Sequence, residues 1–230
     1  MRGCPPLRQP LYFFSMADQT QKMISLLGRM RKQMNGAVAD AMYYYGQNYG
    51  LNYGVSLPTI REIASTEGKD HSLAQYLYKQ QVRELRLAAL HIADPAQLSC
   101  EEASTWAEGI INSEVAEEMA FAVLSLSPHL AAIFHTWSNS DNEMLAYAAL
   151  MAVARRQQTI DVEIITSIKD IVRRHPSSRI IAQGAVALLS AAAQNTELTT
   201  AIKESLTALG EGSTADYIRE EMEWRLEALQ

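Results

Sequence analysis

The sequence is poor in residues that cross-link a chain or carry it through a membrane. Its two cysteines, Cys4 and Cys100, exclude a framework of several disulfides and show no CxxC spacing for a metal or redox site. They favour a reducing, cytoplasmic compartment. No run of about 18 apolar residues is present, so we expect no membrane partner. A net charge of −6 with 48% hydrophobic residues excludes a mainly disordered chain.

Sequence motifs for cofactors and metals are missing as well. The chain has no glycine-rich phosphate loop, no GxSxG sequence and no Walker motif. His91, His129 and His135 lack the spacing of metal ligands. We therefore expect neither a cofactor nor a metal.

The N-terminal segment differs in composition from the rest of the chain. Residues 1–15 contain three prolines and no continuous apolar stretch, which argues against a signal peptide. Met16, followed by Ala17 and Asp18, looks like a more natural start. We expect residues 1–15 to be a disordered tail or a translation artefact, and residues 16–230 to form a single domain.

Glycine and proline are scarce after residue 60, with five glycines and three prolines. Between them apolar residues recur every three or four positions, and no segment alternates with period 2. The spacing predicts an all-α chain of about 12 to 13 helices without strands. The predicted helices span residues 18–33, 35–47, 58–66, 70–80, 82–93, 98–111, 114–125, 128–137, 141–157, 160–174, 177–193, 196–208 and 213–228. Helix caps are predicted at Asp18, Ser99, Ser113 and Asp141.

The order of these helices predicts an α-solenoid, or α-α superhelix. Helical hairpins begin near residues 82, 114, 141 and 177, at the loose interval of such repeats. Residues 180–193 are apolar on nearly every side and are expected inside the stack. The acidic, amphipathic helix 213–228 is expected to cap it.

Charge is unevenly distributed along the chain. Residues 1–86 carry +5, residues 87–154 carry −9, residues 155–210 carry +2 and residues 211–230 carry −4. Because phosphate contacts supply most of the affinity for DNA, we expect DNA to bind weakly and only at the basic flanks. These flanks are Arg29, Arg31 and Lys32 on one side and Arg155, Arg156, Arg173, Arg174 and Arg179 on the other. The alternative for each cluster is a solvated helix end.

Several segments resemble DNA alkylation repair proteins of the AlkC/AlkD type, which are HEAT-like-repeat DNA glycosylases. The sequence from Gly54 to Arg61 resembles the family's G-[IV]-x-x-P-x-x-R motif, and residues 84–90 resemble its E-x-R sequence with the apolar helix that follows. Residues 98–123, with Trp106, resemble the helix pair that bears the active site. The resemblance covers residues 18–210 and implies a HEAT-like-repeat fold.

The resemblance also implies a reaction, the excision of N3- or N7-alkylated purines. In the family's W-D-x-V-D motif an Asp stabilises positive charge on the sugar, and two Trp rings stack on the lesion. Here the motif's Trp falls on Ser113, its first Asp on Glu114 and its second on Glu117, while the second stacking Trp, expected near Val186, is absent. A longer carboxylate and two missing rings weaken catalysis. Glu117 is the candidate catalytic residue. The candidate binding residues are Glu114, Trp137, Tyr147, Arg155 and Arg156.

Five tyrosines between residues 43 and 53 form a separate candidate site. They could offer an aromatic face to bases or to a peptide. Packing of the first helix pair, with the hydroxyls at the surface, is the interpretation that we favour.

Three functions therefore stay open. The first is a divergent alkylation-repair protein, weakly active or non-catalytic, that acts as a scaffold for DNA or protein. The second is an active alkylpurine glycosylase with a rearranged site. The third is a protein-interaction solenoid that uses its concave face and its acidic block.

Overall fold

A computed structural model describes the backbone of residues 11–47 and 49–227 and the side chains of residues 17–47 and 49–227. Within this part the chain forms thirteen α-helices and no strand, with one isolated bridge between Leu51 and Val82. The all-α prediction is confirmed, and so is the predicted number of helices. None of the described helices is long and apolar enough to cross a membrane.

The chain divides into two compact units, Met1–Ala93 and Asp94–Gln230. The first contains α1 to α5, which are Leu11–Arg31, Gly36–Tyr44, Leu57–Ser65, His71–Tyr78 and Arg83–Ile92. The second contains α6 to α13, which are Cys100–Ala107, Ser113–Ala122, Leu130–Ser138, Glu143–Arg155, Val162–Arg174, Arg179–Ala192, Thr199–Ala208 and Ser213–Glu227. The expectation of one domain over residues 16–230 stays a prediction.

The first helix begins earlier than the sequence pattern predicts. Helix α1 starts at Leu11, so Asp18 lies inside it and forms an ion pair with Lys22 at 3.4 Å instead of capping its start. Of the segment 1–15, residues 1–10 lie outside the described residues, and residues 11–15 belong to α1.

A buried ion pair organises the first unit. Arg83 and Glu84, 1% and 0% exposed, lie at the start of α5 with 3.3 Å between their charged groups. The Glu84 carboxylate accepts hydrogen bonds from the backbone N–H groups of Tyr53 and Val55, and Arg83 donates to the carbonyl of Val55 at 2.8 Å. A buried carboxylate needs such donors. The motif around Gly54 therefore meets the E-x-R sequence through hydrogen bonds.

The second unit is built from helical hairpins. Helices α7, α9, α11 and α13 pack side by side in one layer. Helix α8 packs on α9, and α10 and α12 pack on each other and on α11. Helix α11 buries eight of its residues, among them Ile181, Leu188 and Leu189, which confirms its predicted place inside the stack. Helix α13 packs on α11 through Ile218 and Met222.

Candidate functional site

The residues that the sequence marks for catalysis lie on neighbouring helices of the second unit. Helix α7 begins after Asn112, whose side chain accepts a hydrogen bond from the N–H of Val115 at 3.0 Å. This cap places Glu114 in the first turn and Glu117 one turn later on the same side of the helix. Both carboxylates are half-buried.

Glu117 contacts Tyr147 across the seam between α7 and α9. The Tyr147 hydroxyl donates a hydrogen bond of 2.7 Å to Glu117 Oε1. Burial raises the pKa of Tyr147, and the hydrogen bond to the Glu117 carboxylate raises it further. Tyr147 therefore stays protonated and acts as a donor that holds the carboxylate toward the protein. The structure thus joins two of the predicted site residues.

Gly184 on α11 provides the space for the Tyr147 ring. A Cβ atom at position 184 would lie 3.0 Å from Tyr147 Cδ2 and 3.2 Å from two atoms of Leu150. These distances are shorter than ordinary van der Waals contacts, so a larger residue would push the ring aside. Three successive helices of one layer therefore determine where the Glu117 carboxylate points.

Two arginines at the end of α9 contact the C-terminal part of α7 and the segment after it. The exposed Arg155 places its guanidinium carbon 5.1 Å from the centre of the Phe121 ring. Arg156 donates a hydrogen bond of 2.7 Å to the carbonyl of Ser127. Phe121 lies four residues after Glu117 and is half-buried, so an aromatic ring and a cation stand one helical turn from the carboxylate. Sequence reasoning overlooked Phe121, although its i,i+4 spacing from Glu117 was visible.

The indole rings of the three tryptophans differ in their exposure to solvent. Trp106 and Trp137 are each 3% exposed, whereas Trp224 on α13 is 67% exposed. A base stacks on an open ring face, and rings this deeply buried have none to offer. The placement of Trp137 favours a core anchor over the binding role considered for it. Within the described residues, no group of His, Cys, Asp and Glu side chains could hold a metal.

The tyrosine cluster of the first unit divides into two parts. Tyr49 and Tyr53 are half-buried, with Arg83 and Arg31 over their rings at 5.9 and 5.8 Å. Tyr43, Tyr44 and Tyr45 are 74%, 83% and 80% exposed. For these three the favoured packing interpretation is wrong, because α2 has no buried residue and therefore provides no core for them.

Comparison with known proteins relates the chain to a family and to a solved structure. A family model described as DNA alkylation repair enzyme matches residues 26–202. The chain is similar to a solved structure described as a new family of proteins related to the HEAT-like repeat DNA glycosylases with affinity for branched DNA structures. The TM-score is 0.68 and the identity 17%, over 88% of this chain and 94% of that one. This likeness confirms the predicted HEAT-like-repeat fold. No curated protein sequence matches the chain significantly.

Proposed function

Because the chain belongs to the family of DNA alkylation repair enzymes, we propose that it is a DNA-binding helical-repeat protein with little or no alkylpurine glycosylase activity. The burial of Trp106 and Trp137, each 3% exposed, carries this proposal. Excision of an alkylated base needs open ring faces beside the carboxylate that stabilises the sugar cation. Neither of these two indoles supplies one.

The charge around Glu117 supports the same proposal. No lysine or arginine occurs between Arg86 and Arg155, and this segment carries −9. Such a segment repels DNA phosphates, which supports a DNA contact elsewhere on the protein. The hydrogen bond from Tyr147 also occupies one oxygen of Glu117, which leaves that oxygen less able to stabilise a cation.

We extend to this chain the ligand named for the similar structure, branched DNA. A cytoplasmic location of this chain is part of the same proposal. It is supported by Cys100, an exposed free thiol that is stable in a reducing compartment. Fluorescence anisotropy with a labelled four-way junction and a duplex of equal length tests the ligand. We expect tighter binding to the junction. Equal affinities, or no binding to either DNA, would contradict the proposal.

A base-release assay tests whether the protein lacks alkylpurine glycosylase activity. Methylated DNA is incubated with the wild type, with Glu117→Ala and with an active alkylpurine glycosylase as positive control. We expect no release of 7-methylguanine or 3-methyladenine above background by this protein. Release that disappears in Glu117→Ala would replace the proposal with the second candidate function, an active glycosylase. Phe121 and Arg155 beside Glu117 are the observation that favours this alternative.

A further inference from the structure

We propose that Tyr43, Tyr44 and Tyr45, here called the tyrosine platform, bind unpaired bases of DNA by stacking. This inference rests on the proposed DNA binding and adds the place where single-stranded parts of a branched structure are held. The three side chains are 74%, 83% and 80% exposed. Three consecutive aromatic residues with this exposure are unusual on a folded protein, and exposed apolar clusters mark interaction sites.

Hydrogen bonds define both ends of the helix that carries the platform, although none of the platform side chains is buried. Asn35 caps the start of α2 by accepting a hydrogen bond from the N–H of Val38 at 3.3 Å. At the other end Gly46, with a φ of 81°, donates its N–H to the carbonyl of Tyr43, and Gln47 donates to that of Met42. These two bonds form a Schellman motif, which ends the helix in a defined geometry. Binding would therefore cost little backbone ordering.

The rings present both faces and edges to solvent. Tyr44 and Tyr45 meet edge to face, with ring centres 5.3 Å apart and planes at 86°. This arrangement leaves ring faces pointing in different directions, as binding of successive splayed bases requires. Every base has a π-face, so such a surface is tolerant of sequence.

Charge near the platform favours nucleic acid as its occupant. Arg31 is the last residue of α1 and Lys32 follows it directly; both are exposed and precede the platform helix by only a few residues. Arg31 lies over the Tyr53 ring, and the Tyr53 carbonyl accepts a hydrogen bond from Asn35 N–H at 2.8 Å. Tyr53 therefore contacts both Arg31 and the residue that caps α2. Helix α2 has one acidic residue, Asp40, which is exposed. Residues 1–86 carry +5, so this part of the chain attracts phosphates.

Stacking is tested with three variants of the full chain. Replacing all three platform tyrosines by alanine removes the rings, replacing all three by phenylalanine keeps them, and Trp224→Ala removes an exposed aromatic ring on α13 as the control. Because α2 buries no side chain and Trp224 is 67% exposed, all variants should fold, which circular dichroism and thermal melting verify. The probes are a labelled single-stranded oligothymidine and a forked duplex with unpaired arms. We expect the triple alanine variant to bind both at least tenfold more weakly, with the phenylalanine and Trp224→Ala variants close to wild type.

The outcomes separate this inference from the function on which it rests. If the wild type binds no DNA, the proposed function fails. If the wild type binds the probes and the triple alanine variant binds them equally well, the platform inference alone is overturned. It is overturned as well if the wild type self-associates in sedimentation while the alanine variant is monomeric with unchanged DNA affinity, because the platform is then a protein interface.

A second measurement locates the contact directly. Photo-crosslinking with an oligonucleotide that contains 5-iodouracil, followed by mass spectrometry, should yield adducts at Tyr43, Tyr44 or Tyr45. Adducts confined to peptides of the second unit would contradict the platform inference.

Discussion

At the scale of single residues, the candidate site depends on a pair that was not evident from the sequence. The sequence placed Tyr147 only among the candidate binding residues. In the structure it is a hydrogen-bond donor to Glu117 at 2.7 Å, and its ring fits because position 184 is a glycine. The local sequence shows a carboxylate and a tyrosine thirty residues apart, and only helix packing brings them together.

Two buried tyrosines predict how stability depends on pH. Burial raises the pKa of Tyr78 above its usual value, with Arg86 opposing the shift, and burial with the Glu117 hydrogen bond raises that of Tyr147. An unfolded tyrosine loses its proton near pH ~10, while the folded protein keeps it. The stabilisation is therefore complete below this pH and is lost as pH rises above it, by about 1 kcal/mol per tyrosine near pH ~10.5.

Urea unfolding at neutral pH and near pH ~10.5 checks this expectation. Tyr78→Phe should lose less stability between the two pH values than the wild type does, because it lacks the ionisable hydroxyl. Tyr44→Phe is the matched control, since this tyrosine is 83% exposed and should respond as the wild type. An identical pH response of wild type and Tyr78→Phe would refute the expectation.

Gly54 supports a second prediction at this scale. Its φ is 68°, and a Cβ atom would overlap the carbonyl oxygen of Asn35 and lie 2.8 Å from the N–H nitrogen of Ala39. We expect Gly54→Ala to lower the free energy of unfolding by more than the ~1–3 kcal/mol that a strained φ costs by itself, because the clash adds to that strain. Gly68→Ala, at the same φ of 68° but with open space around it, separates the backbone cost from the clash. Equal losses in both variants would exclude the clash.

At the scale of helices and turns, two of the four predicted caps lie one residue away from the residue that caps the helix, and Asp18 lies inside a helix. Ser99 was confirmed, with a complete capping box to Glu102. Asn112 caps α7 in place of the predicted Ser113, and Asn142 caps α9 in place of Asp141. Adjacent short polar residues compete for the same N–H groups, and the packing of the helix against its neighbours selects the one with extended backbone.

The cap of α7 can be tested with a neighbouring pair of variants. Asn112→Ala removes the side chain that accepts from Val115 N–H and should cost about 1 kcal/mol in chemical denaturation. Ser113→Ala removes the cap that the sequence pattern favoured, and it should change stability by less than half as much. A larger effect at position 113 than at 112 would show that the helix begins one residue later.

At the scale of the whole molecule, the uneven distribution of charge supports a DNA contact outside the candidate site. The segment of residues 87–154 carries −9, and residues 1–86 carry +5. An acidic segment that includes the candidate catalytic residue is unsuited to a DNA phosphate backbone. In the proposed function, DNA is therefore contacted away from the position that holds the active site in the family.

The salt dependence of DNA affinity tests this proposal. For duplex DNA we expect weak binding at physiological salt and a shallow slope of log affinity against log salt, because few cations are available to displace counterions. Arg31→Gln combined with Lys32→Gln should reduce the slope further, while Arg225→Gln, on an arginine paired with Glu221 outside both basic flanks, serves as the control. Tight duplex binding with a steep slope would contradict the expectation.

The sequence by itself determined the fold class, the number of helices, the repeat order and the family resemblance. Helical periodicity and the scarcity of glycine and proline are local properties, so they can be recognised without knowing which helices touch. Tertiary structure alone decided that the Tyr147 hydroxyl donates a hydrogen bond to Glu117. It also decided which aromatic rings are exposed: Trp106 and Trp137 are buried, whereas Tyr43, Tyr44 and Tyr45 are exposed. Exposure and long-range hydrogen bonds depend on which helix face meets a neighbour. Residues far apart in the chain determine that, and periodicity cannot specify it.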